Sequence, residues 1–149
     1  MKNIIYQFTL VFSTLLFFQT SLSASNPDAI LGDWIVEDNN CKIMITKTDG
    51  KYEGKISWIR TLSGENPDDK LDVKNSNPSL RSRKLLGLTV IKDLVFNPAT
   101  DSWQGGVIYA YDDGKEYECK MWVKNGNLIV RGFVKVSILG SNQLWTRPK

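Results

Sequence analysis

Residues 117–124 alternate: Tyr117, Cys119, Met121 and Val123 fall between Glu118, Lys120 and Lys124, and the run stops at Asn125-Gly126. In an extended chain successive side chains point to opposite faces, so this pattern predicts a strand with one buried face. Asn-Gly is a strong signal for a two-residue hairpin, because both residues tolerate the positive φ that such a turn requires. Beyond it Leu128, Val130, Gly132, Val134 and Val136 again share one face. Two antiparallel strands are thereby set, and the rest of the chain has to be compatible with them.

The same grammar recurs along most of the sequence. Strands are predicted over 30–36, 41–47, 52–59, 88–96, 102–111, 115–124, 127–137 and 143–147, separated by turn-forming clusters such as Asp38-Asn39-Asn40, Thr48-Asp49-Gly50, residues 97–101 and Asp112-Asp113-Gly114. Gly105-Gly106 inside one strand predicts a bulge or sharp bend. Short, evenly spaced strands point to a sandwich or barrel. The expectation is an all-β fold, an eight-stranded antiparallel barrel that leaves no exposed edge.

One segment, 61–87, does not alternate. Connections above about 12–15 residues are uncommon in compact domains and are usually functional or disordered. This one is polar, then basic, then apolar, and is expected to be an ordered lid or side connection at one barrel end. Asn77-Pro78 is a helix-start signature, which predicts a short helix of one or two turns over 79–83.

The first two dozen residues stand apart. Lys2, an apolar stretch over 4–18 and the small residues Ser21, Ser23, Ala24 and Ser25 read as a secretory signal peptide over 1–24. The barrel domain is then 25–149, about 125 residues, enough for one core. No second hydrophobic span follows, so an integral membrane protein is not expected, and the chain is expected in the periplasm or outside the cell. In that compartment an even cysteine count favours a disulfide between Cys41 and Cys119, the other reading being two buried free thiols.

Lys2 is the only charged residue of the leader, so the remainder carries 18 basic and 16 acidic side chains. That balance, with only Arg81, Arg83 and Lys84 clustered, gives no nucleic-acid footprint. The sequence contains no histidine, which removes the commonest general base and metal ligand. No metal-ligand spacing or phosphate-binding loop is present, so no cofactor or metal is expected.

Gly32-x-Trp34 near the start and Arg147 near the end are similar to the pair that closes lipocalin-like barrels: first and last strands meet, and a guanidinium packs on an indole face. Trp34, Trp58, Tyr109 and Tyr117 are placed inward, where they either line an apolar pocket with polar tips or fill the barrel. Arg81 and Arg83 are candidate clamps for an anionic ligand group, though pairing with Asp69 or Asp72 is the simpler role. Trp122, Ile129 and Phe133 fall on the outward face, where exposure together would make a partner-docking patch. Asp68, Asp69, Asp112 and Asp113 are the carboxylates a hydrolase would need, but they lie in turns where carboxylates are commonplace.

In combination the motifs are more specific. Ile30-Leu31-Gly32-x-Trp34, Gly54-Lys55-Ile56-x-Trp58, Asn77-Pro78-x-Leu80-Arg81-x-Arg83-x-Leu85-Leu86-Gly87-Leu88, Trp103-x-Gly105-Gly106-x-Ile108-Tyr109, Gly114-Lys115-x-Tyr117, Val130-Arg131-Gly132-Phe133 and Gln143-x-Trp145-x-Arg147 follow in order. Together they resemble the bacterial exported family DUF2147, a domain of unknown function. The resemblance implies a lipocalin-like (calycin-type) barrel in the cell envelope or outside the cell, and brings no activity with it. The family usually has Pro at the position of Lys84, Asp-Pro at Ala110-Tyr111, and commonly Arg at Ser141. The last departure removes a cation near one end of the barrel, and with it support for an anionic ligand. The functional expectation is an exported binder of a small apolar or amphipathic molecule, against two alternatives: an envelope interaction module with a filled barrel, and a carboxylate-dependent hydrolase.

Overall fold

A computed structural model describes residues 25–133 and 141–149. Its strands are β1 (Gly32–Ile35), β2 (Cys41–Thr48), β3 (Lys51–Ile59), β4 (Thr89–Asn97), β5 (Ser102–Ala110), β6 (Lys115–Lys124), β7 (Asn127–Phe133) and β8 (Ser141–Trp145). They form one sheet in sequence order, each antiparallel to the next. The two ends meet where Ile35 N donates to Thr146 O at 2.8 Å and Thr146 N donates to Ile35 O at 3.0 Å. The result is a nearly closed eight-stranded barrel. Asp49-Gly50 and Asn125-Gly126 have positive φ at both positions, the geometry of the hairpin turns their sequences predict. The signal-peptide reading and the segment 134–140 lie outside the described residues.

Strand direction sorts the connections onto two ends. The hairpin turns after β2, β4 and β6 lie at the end where β1 begins. That end is plugged by the residues before β1. Pro27 O accepts from Tyr52 Oη at 2.7 Å and from Trp103 Nε1 at 3.0 Å, and Ile30 is fully buried. Trp103 packs edge-on against Tyr52 and tilted against Phe96, with ring centroids 6.2 and 5.0 Å away.

Gly32, Trp34 and Arg147 lock this end. The Arg147 guanidinium lies 3.8 Å from the Trp34 ring centroid. It donates to Leu31 O at 2.8 Å, Asp33 O at 3.3 Å and Ala29 O at 2.8 Å, while Trp34 Nε1 donates to Ile30 O at 2.8 Å. Gly32 has φ +97°, and a Cβ there would stand 3.1 Å from Arg147 Nη1, so only glycine leaves the guanidinium its seat. Because Arg147 ties the first strand's approach to the last strand, Arg147→Ala is expected to lower stability by about 2–4 kcal/mol, with Arg147→Lys recovering only part for want of the planar fork. Urea unfolding of the three proteins checks this; an alanine variant within about 0.5 kcal/mol of the parent would contradict it.

The long connection runs along the flank of the barrel. It contains two 3₁₀ turns, Pro67–Asp69 and Pro78–Leu80, the second capped by Asn77, whose side chain accepts from Ser79 N. The expected helix is therefore a single tight turn. The connection folds back on itself through Asp72 N to Arg83 O at 3.0 Å and Leu85 N to Lys70 O at 2.8 Å, and Leu85 enters the core. It ends by rejoining β3, where Gly87 N donates to Ile56 O at 2.8 Å.

Two bulges correct the expected facing of aromatic residues. Lys42 pairs with Trp58 but Ile43 pairs with Ile56, so Ser57 is the extra residue on β3. The bulge turns Trp58 outward, 41% exposed, with Lys42 Nζ 5.5 Å from its ring. Gly105, at φ +80°, lies within a register shift between Trp103 and Gly106 on β5. Trp103 stays inside, and Tyr109 falls on the opposite face from it, buried because the connection covers it.

The expected disulfide is also corrected: Cys41 and Cys119 are both free and buried. Cys41 lies on β2 and Cys119 on β6, four strands apart in either direction around the barrel. Strands about 4.8 Å apart in a tilted eight-stranded barrel put opposite walls about 12–15 Å apart, beyond the reach of a disulfide.

Candidate functional site

The end opposite the plug opens into a cavity of about 730 Å³. Its apolar walls come from Ile43, Val90, Ile108, Val130 and Trp145, one from each of β2, β4, β5, β7 and β8. Tyr111 and Tyr117 add aromatic surface nearer the mouth, Phe133 borders it from the end of β7 on the outward face its sequence position predicts, and Asn40, Ser141 and Gln143 add polar groups. Gln143 Oε1 accepts from Trp145 Nε1 at 3.1 Å, which holds the indole in place. Gly132 faces Cys119 across the sheet and contributes no side chain; a Cβ there would meet only ordinary contacts, at 3.5 Å from Tyr117 Cβ. Part of the void exists because that position is a glycine. No residue of the long connection lines the cavity, so the segment is a side connection and not a cover over the mouth.

The mouth carries Glu37, Asp38, Asp112 and Asp113. Asp38 accepts from Asn40 N at 3.0 Å and Asn40 Nδ2 at 2.6 Å. Asp113 accepts from Lys115 N at 2.9 Å and from the Tyr117 hydroxyl, whose proton it holds, raising the phenol above its ordinary value. Glu37 accepts from Leu144 N at 3.3 Å. None of the four forms an ion pair with a lysine or arginine among the described residues.

Cys41 faces the cavity and shares a hydrogen bond with Tyr111. Burial pushes its thiol up to about 11, with the negative Asp38 and Asp112 adding to the shift. Burial likewise raises the Tyr111 phenol, helped by Cys41 and then by the same two carboxylates. Cys119, enclosed in the wall, is pushed up to about 12 by burial alone. Both thiols are therefore protonated and poorly nucleophilic. Below an ordinary thiol value of about 9 the folded and unfolded chains carry the same protons at these groups; above it the unfolded chain loses them first, so stability falls as pH rises through 11 and 12. Two outcomes are expected. A thiol reagent should titrate both cysteines in denaturant and neither promptly in the native protein. Cys119→Ala should flatten the alkaline loss of stability, and an unchanged slope would contradict the assignment.

Of the side chains expected at a ligand, Tyr117 and Tyr109 border this cavity and Trp58, Arg81 and Arg83 do not. Tyr109 borders the cavity from its strand, but its side chain faces the connection, where its hydroxyl donates to Asp72 Oδ1 at 2.6 Å and accepts from Asn75 Nδ2 at 2.9 Å. Arg83 Nε donates to Asp72 Oδ2 at 2.7 Å with the guanidinium 5.1 Å from the Tyr109 ring centroid, and Arg81 Nε donates to Asn75 O at 2.8 Å. Both arginines thus hold the connection. The residues that sequence reasoning passed over are the mouth carboxylates Glu37 and Asp38, and Tyr111, Gln143 and Trp145 as lining. Asp112 and Asp113 were visible as turn formers and as candidate hydrolase carboxylates, but not as the rim of a cavity. Among the described residues no three His, Cys, Asp or Glu are grouped as metal ligands.

A barrel closed by a Gly-x-Trp and Arg lock, plugged at one end and hollow at the other, is a lipocalin-like barrel. A solved structure described as "Protein HP1028 from the human pathogen Helicobacter pylori belongs to the lipocalin family" is similar to it, with a TM-score of 0.66 and 22% identity over 80% of this chain and 82% of that one. The chain belongs to the family DUF2147, described as an uncharacterized protein conserved in bacteria, whose pattern matches residues 32–147. No curated protein matches it.

Proposed function

We propose that the protein is an exported binder of a small apolar or amphipathic molecule, which it holds in the barrel cavity without transforming it. The observation that carries this reading is the cavity itself: about 730 Å³, apolar at depth, open at one end and sealed at the other. Small-molecule sites are typically about 300–1,000 Å³, mainly apolar with a few placed polar groups. The lipocalin-like fold supports the same reading. Binding without chemistry is supported by the absence of histidine from the sequence and by a cavity thiol whose proton is held more tightly than usual. Among the described residues no helix is long and apolar enough to cross a membrane. Export rests on the leader pattern of 1–24, and the mature protein is expected to begin near Ser25 on N-terminal sequencing.

Native mass spectrometry of protein purified without detergent tests the reading, together with titration by the neutral dye N-phenyl-1-naphthylamine. A retained small molecule, or a saturable rise in dye fluorescence, is expected. A clean apo mass with no dye response would overturn it.

A second reading has an observation of its own. Trp122, Ile129 and Leu144 align in register across β6, β7 and β8, and Leu144 is exposed. Such a cross-strand apolar row suits contact with another protein. Under this reading Trp122→Ser weakens self-association or capture of a partner and leaves dye binding unchanged.

A further inference from the structure

We propose that the cavity selects a positively charged amphiphile, its cationic head at the mouth between Glu37, Asp38, Asp112 and Asp113 and its apolar tail against Ile43 and Trp145. This rests on the cavity being a ligand site, as proposed above, and adds the sign of the ligand's charge.

The protein as a whole is slightly basic, at net +3, yet the described residues lining the cavity include four carboxylates and no lysine or arginine. The carboxylates come from two turns of the open end, after β1 and after β5, which the strand order puts on opposite sides of the ring, so they stand around the entrance and not on its floor. Their backbone and side-chain hydrogen bonds fix where they sit, and among the described residues none compensates their charge, since donors from Asn40, Lys115 N, Tyr117 and Leu144 N are all neutral. Elsewhere six carboxylates, Asp28, Glu65, Asp68, Asp72, Asp93 and Glu116, each have a lysine or arginine partner.

The field of this mouth reaches inward. Asp38 and Asp112 both favour the neutral forms of Cys41 and Tyr111, groups on the cavity wall. An anionic head entering there would meet like charges in a concave site with low-dielectric walls, where such fields are focused. A cationic head would meet carboxylates and the rings of Tyr111 and Tyr117, which attract cations through their quadrupoles. The carboxylates are spread and not gathered into a chelating set, so the geometry fits an organic ammonium or guanidinium group better than a metal ion, which needs several converging ligands.

Three probes with the same ten-carbon tail separate the terms: decyltrimethylammonium, decanol and decanoate, each below its aggregation threshold, competing with N-phenyl-1-naphthylamine. The cation is expected to displace the dye at a concentration about tenfold lower than decanoate, with decanol between them. Its advantage should shrink at high salt and in the Glu37→Gln, Asp112→Asn double variant. Both positions are exposed, and an unchanged melting temperature confirms that the variant folds. Equal or better displacement by decanoate or decanol, or a cation preference that survives in the double variant, would overturn the charge assignment while leaving the ligand site standing. Failure of the dye itself to bind would overturn the site, and the assignment with it.

Discussion

Gly114→Ala is expected to be among the most damaging single-methyl additions the chain can suffer, lowering stability by about 2–5 kcal/mol. Two costs coincide at this turn between β5 and β6. Gly114 has φ +75°, the left-handed region that L side chains avoid. A Cβ there would stand 1.9 Å from Lys74 O and 2.7 Å from Lys74 C, so backbone has to move and no flexible side-chain tip can yield. The clash falls where the long connection meets the barrel, one residue before Asn75, whose amide bonds Tyr109 and Asp72. Gly126→Ala is the control. Its φ of +76° is nearly the same but nothing lies within 4 Å, so it should cost only the backbone part, about 1–2 kcal/mol. Denaturant midpoints compare the two. Equal losses would show that the connection is not pressed against Gly114.

The second large effect is expected at Asp72. Its carboxylate is 1% exposed, and its three partners all belong to the attachment of the connection: Arg83 Nε at 2.7 Å, Tyr109 Oη at 2.6 Å and Asn75 Nδ2 at 2.8 Å. Asp72→Ala leaves a guanidinium, a phenol and an amide without their acceptor. Removing one member of a buried ion pair costs about 3–5 kcal/mol, and the lower end is expected because the Arg83 side chain keeps 33% exposure and can turn to water. Tyr109→Phe deletes one bond and leaves the ion pair, so about 1–2 kcal/mol is expected. The double variant Asp72→Ala, Arg83→Ala should lose less than the sum of the singles, since the two share one interaction. Strict additivity would contradict the pairing. Neither change touches the cavity mouth, so dye binding at a temperature where both variants stay folded should be retained.

These two sites also show what the sequence carried and where it fell short. Turn chemistry was legible: Asp49-Gly50 and Asn125-Gly126 require positive φ and have it, and Gly32, Trp34 and Arg147 meet as the resemblance to lipocalin-like barrels implies. Strand facing was legible only up to each bulge. An extra residue at Ser57 reverses Trp58, and the extra residue at Gly105 puts Tyr109 outside, because period-two alternation has no memory of a slip. The pairing of Cys41 with Cys119 failed for a reason of topology: an even count says nothing of strands four apart on a ring. The cavity was the least legible feature. Its volume depends on a side chain that is missing, at Gly132, and on loops gathered at one end, and neither leaves a local signature. Asp112 and Asp113 read as ordinary turn residues because nothing local marks a turn as the rim of a void.

Gly132 supplies the most direct test that this void is the functional site. It lines the cavity, its backbone has no positive φ, and a Cβ there would make only ordinary contacts with Tyr117 and Ile108. Gly132→Phe should therefore fold and should fill the void with its ring. Binding of N-phenyl-1-naphthylamine to parent and variant is the measurement, with melting temperatures taken alongside. The account predicts loss of at least about tenfold in dye affinity with the fold retained. Undiminished binding by a folded Gly132→Phe protein would place the ligand elsewhere and contradict it.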